Sequence, residues 1–189
     1  IPRIAVVIPC YRVRAQILGV LGAVGPEVEW IFVVDDGCPE QTGALVEDHC
    51  SDSRVSVLRH GQNRGVGAAV VTGYAAALDA GADIVVKIDG DGQMDPAHIP
   101  ALITPLILGK ADYVKGNRFR DFQSLLQMPF VRRIGNLGLS FLTKAATGYW
   151  SIFDPTNGFF AIRAKILTQL PLEKIDHRYY FETSMLANL

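Results

Sequence analysis

Short runs of apolar residues, many of them β-branched, recur along the chain and predict strands. The runs at 4–8 and 84–88 are apolar at nearly every position, which is typical of strands buried on both faces of a parallel sheet. We expect Pro9 to end the first of them. Further strands are predicted at 27–34, 55–58 and 158–163, and the regular pattern weakens after 112–114.

The segments between these runs carry apolar residues at helical spacing. The clearest helix is predicted at 66–80, where an apolar stripe at i, i+4 spacing consists of Val66, Val70, Tyr74 and Leu78. Other helices are predicted at 13–24, 40–51, 96–108 and 131–147, with shorter ones that begin at Ala164 and near Phe181. Because strands alternate with helices, the sequence predicts an α/β fold with a mostly parallel central sheet flanked by helices.

The composition fits one folded domain that spans 1–189. With 189 residues, 49% of them hydrophobic and 20% charged, the chain can bury a substantial core. It starts at Ile1 rather than at Met and stops at Leu189 inside a predicted helix, so we expect it to be part of a longer protein that is cut short at its C-terminus. No run of about 18 apolar residues predicts a membrane span.

The charges are balanced over the whole chain but not along it. A net charge of −1 gives no indication of a nucleic-acid partner. Between 115 and 144, however, six basic residues stand against one acidic residue, Asp121. This local excess suits an anionic ligand or a membrane surface, and it also fits a solvated basic face.

The cysteines indicate a reducing compartment. Cys10, Cys38 and Cys50 are odd in number and lack the spacing of metal ligands. We therefore expect free thiols and a cytoplasmic location.

The most informative polar residues stand directly after the run at 84–88. Asp89 and Asp91 are two positions apart, so an extended chain directs both side chains the same way. Open α/β sheets bind ligands just outside the carboxyl ends of their strands. With the amide oxygen of Gln93, the two carboxylates form an all-oxygen set that suits Mg²⁺ or Mn²⁺. The sequence therefore predicts a metal site that would hold a diphosphate.

Two alternatives concern the same segment. Asp and Gly are also ordinary turn residues after a strand, and that alternative stays open from the residues alone. A calcium loop of the EF-hand type does not fit, because it requires Gly at its sixth position and Glu at its twelfth. This chain has Met94 and Pro100 there.

Two other strand ends place candidate ligands at the same edge of the predicted sheet. Pro9 and Tyr11 lie at the end of the first strand, and Asp35 and Asp36 follow the second. Carboxylates at this edge can accept hydrogen bonds from a nucleotide base or ribose. Asp35 and Asp36, followed by Gly37, equally fit a turn when they are taken alone.

The glycine-rich segment at 63–67 does not match a dinucleotide-binding loop. Such a loop follows the first strand and needs a third glycine, but this segment follows the third strand and has Val70 at that position. Its glycines either let the backbone approach a ligand or let the helix pack closely on the sheet.

No Ser-His-Asp or Cys-His site and no Walker-type phosphate loop can be identified in the sequence. The four histidines belong to no motif, and we expect them to be surface or capping residues rather than catalysts. They are His49, His60, His98 and His177.

In chain order, several short segments resemble the family-2 glycosyltransferases of the GT-A fold, and among them the dolichyl-phosphate mannose synthase branch. The resemblance covers essentially the whole chain, and its specificity comes from the ordered set. The segments are Val-Val-Ile-Pro-Cys-Tyr at 6–11, Val-Asp-Asp-Gly at 34–37, Asn-Arg-Gly-Val-Gly-Ala-Ala at 63–69, Asp-Gly-Asp-Gly-Gln at 89–93, Gly-Asn-Arg-Phe at 116–119, Arg-Arg-Ile-Gly-Asn at 132–136, Asp-Pro-Thr-Asn-Gly-Phe at 154–159 and Tyr-Tyr-Phe-Glu-Thr-Ser-Met-Leu at 179–186.

The resemblance implies a nucleotide-sugar donor held along the strand ends and a polyprenyl-phosphate acceptor at the cytoplasmic face of a membrane. The positions that match its donor site are Pro9, Tyr11, Asp35 and Asp36 for base and ribose, and Asp89, Asp91 and Gln93 for Mg²⁺ or Mn²⁺ and the diphosphate. The positions that match its acceptor side are Arg118 and Arg132 for phosphate, and Asp154.

The resemblance also implies direct displacement with inversion at the anomeric carbon, with Asp91 and Asp154 as catalytic carboxylates. A lipid phosphate is already anionic, so its transfer needs no strong general base. A sugar hydroxyl acceptor would need one, and Asp154 is the candidate.

Some positions depart from the family pattern. Arg12 and Val13 stand where the family often has Asn and Glu, so a usual carboxylate contact to the nucleotide is missing. Cys38 and Asn117 each replace a common Ser. These changes leave the preferred base of the donor undetermined.

Three other functions are compatible with parts of the pattern. The first is a family-2 glycosyltransferase with a saccharide hydroxyl as acceptor. The second is a nucleotidyltransferase, which would require a glycine- and lysine-rich loop where this chain has Pro9 to Arg12. The third is a binding module without catalytic activity. The sugar, the base and the oligomeric state are not predicted.

Overall fold

The computed structural model describes residues 2–116, 157–178 and 180–189. The helix predicted at 131–147 lies outside the described residues. So do three of the predicted site residues, which are Arg118, Arg132 and Asp154.

A six-stranded sheet forms the centre of the fold, with the strand order β3-β2-β1-β4-β6-β5. The strands β1 to β4 run parallel to one another, whereas β6 pairs antiparallel with both β4 and β5. This arrangement confirms the predicted α/β class and the mostly parallel sheet. The strands are β1 Ile4–Cys10, β2 Trp30–Asp35, β3 Val55–Arg59, β4 Ile84–Lys87, β5 Tyr113–Lys115 and β6 Phe160–Arg163.

Helices in the described residues connect the strands and cover both faces of the sheet. They are α1 Ile17–Gly22, α2 Thr42–His49, α3 Val66–Asp79, α4 Ile99–Ile107, α5 Ala164–Leu167 and α6 Phe181–Ala187. Short 3₁₀ turns at Pro96–His98 and Leu172–Lys174 precede α4 and α6. The predicted starts at Ala164 and near Phe181 are confirmed.

The prediction that Pro9 ends the first strand was wrong, because β1 continues to Cys10. In a parallel sheet, the backbone N–H and C=O groups of successive residues point in turn to the strand on one side and to the strand on the other. The Val7 carbonyl accepts from Ile88 on the β4 side, and the Cys10 carbonyl accepts from Asp36 on the β2 side. Pro9 therefore faces β4, and the pairing of β1 with β4 has already ended at Val7. Proline has no backbone N–H, and at this position its absence removes no hydrogen bond between the strands.

Three predicted boundaries were also too wide. The helix predicted at 13–24 begins only at Ile17, because Arg12 has a φ of 57° and the Val13 carbonyl closes a turn. The helix predicted at 40–51 begins at Thr42, after Gln41 with a φ of 52°. The strand predicted at 27–34 is shorter at its start and ends on Asp35.

Two apolar layers hold the helices against the sheet. Alternate residues of β1 point to opposite faces, so Val6 and Ile8 join the layer of α1, α2 and α4, whereas Ala5 and Val7 join that of α3, α5 and α6. All four side chains are fully buried. Because both faces of the parallel strands are covered, the strands expose only their ends to ligands.

Helix α3 lies unusually close to the sheet at Gly73. A Cβ atom built on Gly73 would overlap the side chain of Val7 in β1. Gly19, in α1, has no atom within 4 Å of the place where its Cβ would be. The two glycines therefore differ in packing although both lie in helices.

We predict that Gly73→Ala lowers the free energy of unfolding by about 1–3 kcal/mol, because the added methyl overpacks the contact with Val7. Gly19→Ala is the matched control and is expected to raise it by about 0.5–1 kcal/mol, the usual gain for alanine in a helix. Urea unfolding of both variants measures the difference. Equal effects of the two substitutions would contradict the close packing of α3.

Candidate active site

A pocket opens at the carboxyl ends of β1, β2 and β4. Its volume is about 490 Å³, which is within the usual range for small-molecule sites. Its lining includes the predicted residues Pro9, Tyr11, Asp36, Asp89 and Asp91. The structure thus brings together five residues that the sequence placed at three separate strand ends.

Tyr11 forms one side of this pocket and is 41% exposed. The Arg12 guanidinium lies 5.5 Å from the centre of the Tyr11 ring, within cation–π range. The left-handed backbone of Arg12 is supported by its own N–H, which donates to Cys38 Sγ at 3.1 Å. The thiol of Cys38 therefore supports the turn from the position where the family commonly has a Ser hydroxyl.

Asp36 organises the wall of the pocket next to β2. It is only 2% exposed. Its Oδ1 accepts hydrogen bonds from the His60 ring at 2.6 Å and from the Arg64 N–H at 2.9 Å, and its Oδ2 accepts from the Gly65 N–H at 2.8 Å. This carboxylate fixes the loop after β3 against the end of β2.

The expectation that all histidines are surface or capping residues was wrong for His60. Its side chain is 5% exposed, and its Nε2 lies 2.9 Å from the Thr72 hydroxyl in α3. Sequence reasoning missed it because His60 follows a short alternating strand and its partner Asp36 lies 24 residues away.

Asp35 does not line the same pocket. Its two oxygens accept hydrogen bonds from the backbone N–H groups of Cys38, at 2.7 Å, and Gly43, at 2.6 Å. It borders a separate cavity of about 450 Å³ together with Gln41 and Arg59. These contacts give Asp35 a structural role in the turn between β2 and α2, and its predicted contact with a nucleotide remains a prediction.

The glycines of the segment at 63–67 make room for a neighbouring loop, and their predicted role in letting the backbone approach a ligand remains a prediction. Gly65 lines the pocket and has a φ of 100°, which favours glycine. A Cβ on Gly65 or on Gly67 would overlap the backbone at His177, so the glycines admit the segment 176–178 against α3. The Gly67 N–H donates to the His177 carbonyl at 2.9 Å.

This contact brings Arg178 into the pocket, where it faces the same space as Asp36 and Asp89. The sequence analysis missed Arg178. It lies shortly before α6, but no local pattern in the sequence indicates that the loop before that helix folds back to the strand ends.

Lys87 and Glu182 lie beside the predicted metal ligand Asp89. Lys87 is fully buried at the end of β4, and its Nζ lies 2.6 Å from Asp89 Oδ1 and 3.3 Å from Glu182 Oε1. Burial alone would lower the pKa of Lys87, but the two neighbouring carboxylates outweigh it and hold that pKa above its ordinary value. Lys87 is therefore a buried cation in the neutral pH range.

Asp91 and Gln93 differ in how they relate to the pocket. Asp91 lines it and is partly exposed, whereas Gln93 is exposed and is not part of the lining. The Gln93 N–H donates to Asp91 Oδ1 at 3.0 Å. The predicted role of the Gln93 side chain as a metal ligand remains a prediction.

The oxygen donors at the strand ends fit a hard divalent cation. Asp89 and Asp91 lie in the same pocket, and carboxylate oxygens are preferred by Mg²⁺ and Mn²⁺. Across residues 2–116, 157–178 and 180–189, no group of three or more His, Cys, Asp or Glu side chains could hold a metal. A cation bound by two carboxylates would complete its shell with diphosphate and water oxygens.

The three cysteines are free, as the sequence predicted. Cys10 borders the pocket, and burial, followed by the nearby Asp35, Cys38 and Asp89, raises the pKa of its thiol far above the usual range. Burial acts in the same sense on Cys38, but hydrogen bonds from Thr42 and from backbone N–H groups leave the pKa of Cys38 lower than usual.

No membrane-spanning candidate occurs in the described part of the chain, where every helix is too short or too polar to cross a bilayer.

Comparison with known proteins identifies one matching family model and several relatives. The model for glycosyl transferase family 2 matches residues 5–170. A UDP-N-acetylglucosamine–dolichyl-phosphate N-acetylglucosaminyltransferase from Methanococcus voltae is 32% identical over 190 residues, which covers 93% of this chain and 75% of the relative. A polyprenol monophosphomannose synthase from Mycolicibacterium smegmatis is 30% identical over 183 residues, covering 94% of this chain and 68% of the relative.

The solved structures include a glucosyl-3-phosphoglycerate synthase from Mycobacterium tuberculosis in complex with Mn²⁺, UDP and glucosyl-3-phosphoglycerate. It superposes with a TM-score of 0.74 at 24% identity, covering 98% of this chain and 64% of that protein. The likeness confirms the predicted GT-A fold. This chain thus spans slightly less than two thirds of the solved protein.

We predict that Asp36→Asn destabilises the fold by about 2 kcal/mol, because one of three buried donors then meets an amide NH₂ instead of a carboxylate oxygen. The same change at Asp48, exposed on α2, is the control and is expected to have little effect. Urea unfolding measures both. An Asp36→Asn variant as stable as the wild type would show that the three hydrogen bonds do not hold the loop.

Proposed function

Because the chain belongs to glycosyl transferase family 2, we propose that it transfers a sugar from a nucleotide-sugar donor to a polyprenyl phosphate of the dolichyl type. The observation that carries this proposal is the pocket that Tyr11, Asp36, Asp89 and Asp91 share at the ends of β1, β2 and β4. The relatives from Methanococcus voltae and Mycolicibacterium smegmatis support it, because their names specify dolichyl-phosphate and polyprenol acceptors.

The donor would lie across the strand ends in an extended position. Tyr11 offers an exposed aromatic face to the base, and Pro9 lies next to it at the end of β1. Asp36 already accepts three hydrogen bonds, so it shapes the base or ribose end of the pocket and supplies its negative charge. Arg178 lines the same pocket and can donate to the diphosphate.

Asp89 and Asp91, with Gln93 as a further candidate, would hold Mg²⁺ or Mn²⁺ at the diphosphate end. A bound cation would offset the negative charge that grows on the departing nucleoside diphosphate. The same fold holds Mn²⁺ and UDP in the solved glucosyl-3-phosphoglycerate synthase, which supports this choice of ligand. The acceptor oxygen would attack the anomeric carbon from the face opposite the departing nucleoside diphosphate, so that the new bond forms as the bond to the diphosphate breaks and the configuration inverts.

The acceptor side of the proposal rests on Arg118, Arg132 and Asp154. The two arginines would grip the lipid phosphate through charge-assisted hydrogen bonds, and the basic segment that contains them would face the cytoplasmic surface of a membrane. Because a phosphate acceptor is anionic at neutral pH, its transfer needs no strong general base, and Asp154 would act as the base only with a sugar hydroxyl as acceptor. We assign this activity to residues 1–189 as one catalytic domain.

An acceptor assay tests the proposal directly. The full-length protein is incubated with Mn²⁺, a polyprenyl phosphate and a panel of radiolabelled nucleotide-sugars, and we expect labelled lipid with at least one donor. Transfer only to a saccharide would replace the proposed acceptor with a hydroxyl. Binding of a nucleoside diphosphate by calorimetry, without turnover on any acceptor, would instead identify a binding module.

We predict that Asp91→Asn lowers the rate of transfer at least about a hundredfold, because the diphosphate loses charge compensation as it departs. Chelation with EDTA is expected to abolish transfer in the wild type, and added Mn²⁺ should restore it. Asp48→Asn serves as the matched control, with unchanged activity. Transfer by Asp91→Asn at the wild-type rate, or transfer that survives exhaustive chelation, is incompatible with a cation at this site.

A further inference from the structure

Lys87 is a charged residue that is fully buried between apolar neighbours. It is the last residue of β4, a central strand, and it is 0% exposed. Its neighbours along the strand, Val86 and Ile88, are equally buried. Removing an ammonium group from water costs several kcal/mol, and apolar replacements of buried ion pairs are often neutral or stabilising. Stability therefore does not account for a lysine at this position.

The contacts of Lys87 point to a different role. Residues two apart on a strand face the same side, so Lys87 and Asp89 can meet, and Nζ lies 2.6 Å from Asp89 Oδ1. On its other side Nζ reaches Glu182 Oε1 in α6 at 3.3 Å. Lys87 thus connects a residue of the pocket to the last described helix, which lies 95 positions away in sequence.

Gly158 independently supports the same arrangement. A Cβ atom built on Gly158 would overlap both Asp89 Oδ2 and Lys87 Nζ. The absence of a side chain just before β6 therefore leaves the space that this ion pair occupies. A buried cation and a glycine from another part of the chain both determine where the Asp89 carboxylate lies.

We propose that Lys87 is a positioning residue that holds the Asp89 carboxylate in place for the divalent cation and the diphosphate, with Glu182 anchoring Lys87 from α6. The inference rests on the proposed function, because it presumes a cation at Asp89 and Asp91. Groups that hold metal ligands in position typically change metal affinity tenfold to a hundredfold when they are removed.

Mn²⁺ affinity distinguishes positioning from other roles of Lys87. Lys87→Met keeps an unbranched side chain one atom shorter than lysine and leaves the site one unit more negative, so electrostatics alone predicts tighter binding of Mn²⁺. Positioning predicts the opposite, about tenfold weaker binding. A purely structural role predicts a lower melting temperature with unchanged affinity. Titration of the protein with Mn²⁺, followed by the electron paramagnetic resonance signal of the free ion, measures the affinity well below the melting temperature.

The control for Lys87→Met is Lys165→Met in α5. Lys165 lies 3.0 Å from Asp112, but its side chain is 60% exposed, so its loss is expected to change neither Mn²⁺ affinity nor stability appreciably. Unchanged or tighter binding by Lys87→Met overturns the proposal.

A second variant displaces the ion pair without changing any charge. Gly158→Ala is expected to weaken Mn²⁺ binding about as much as Lys87→Met, because its methyl displaces Asp89 and Lys87. Gly22→Ala, with no atom within 4 Å of the added Cβ, is the matched control. Wild-type affinity in Gly158→Ala also overturns the proposal, and this variant decides the matter if Lys87→Met does not fold.

The same titration separates this inference from the proposed function. Mn²⁺ binding that depends on Asp91 but not on Lys87 or Gly158 refutes only the positioning role. A wild-type protein that binds no Mn²⁺ refutes both the cation of the proposed function and this inference. The assay for sugar transfer tests the proposed activity separately from both of these results.

Discussion

The parallel pairing of β1 with β2 on one side and β4 on the other is the constraint on which the rest of the structure depends. Its register sets Cys10 beside Asp35 and Val7 beside Lys87. Both faces of these strands are covered by helices, so polar groups can leave the core only at the strand ends. That restriction brings Tyr11, Asp36 and Asp89 to one pocket although they come from distant parts of the sequence.

Long-range contacts then complete the pocket. The Asp36 carboxylate gathers the loop after β3 through backbone N–H groups, and the glycines at 65 and 67 admit the backbone of the segment 176–178. At the other end, Lys87 joins Asp89 to Glu182 of α6. The last described part of the chain thus contacts the start of α3 through its backbone and the end of β4 through the ion pair of Glu182 with Lys87.

The sequence predicted much of this arrangement because local patterns report local structure. Continuous apolar runs located β1 and β4, and carboxylates after the runs located Asp36, Asp89 and Asp91. The boundaries failed where a single backbone conformation decided them, as at Arg12, whose positive φ delays α1. The end of β1 was predicted one residue too early because a strand can contain a proline such as Pro9 where the backbone of that residue faces a strand that no longer pairs with it.

Residues whose role depends on a distant partner were not predictable in this way. Lys87 looked like one polar position in an apolar run, and nothing near it in sequence reveals Glu182. His60 and Arg178 were missed for the same reason, since their contacts with the strand ends come from the folded chain alone. The side-chain periodicity that locates a strand carries no information about what is packed beyond it.

Gly65 and Gly90 belong to the lining of the pocket, so main chain without a side chain borders the pocket at these two positions. The sheet beneath the pocket is held by the pairing of β1 with β2 and β4, so the exchange of a side chain at the rim leaves these strands in place. Discrimination between related donors then falls to the few side chains that protrude, such as Tyr11, Val13 and Arg178. The ligand preference of such a pocket can therefore change through substitutions of a few side chains at its rim, while the sheet keeps the same structure.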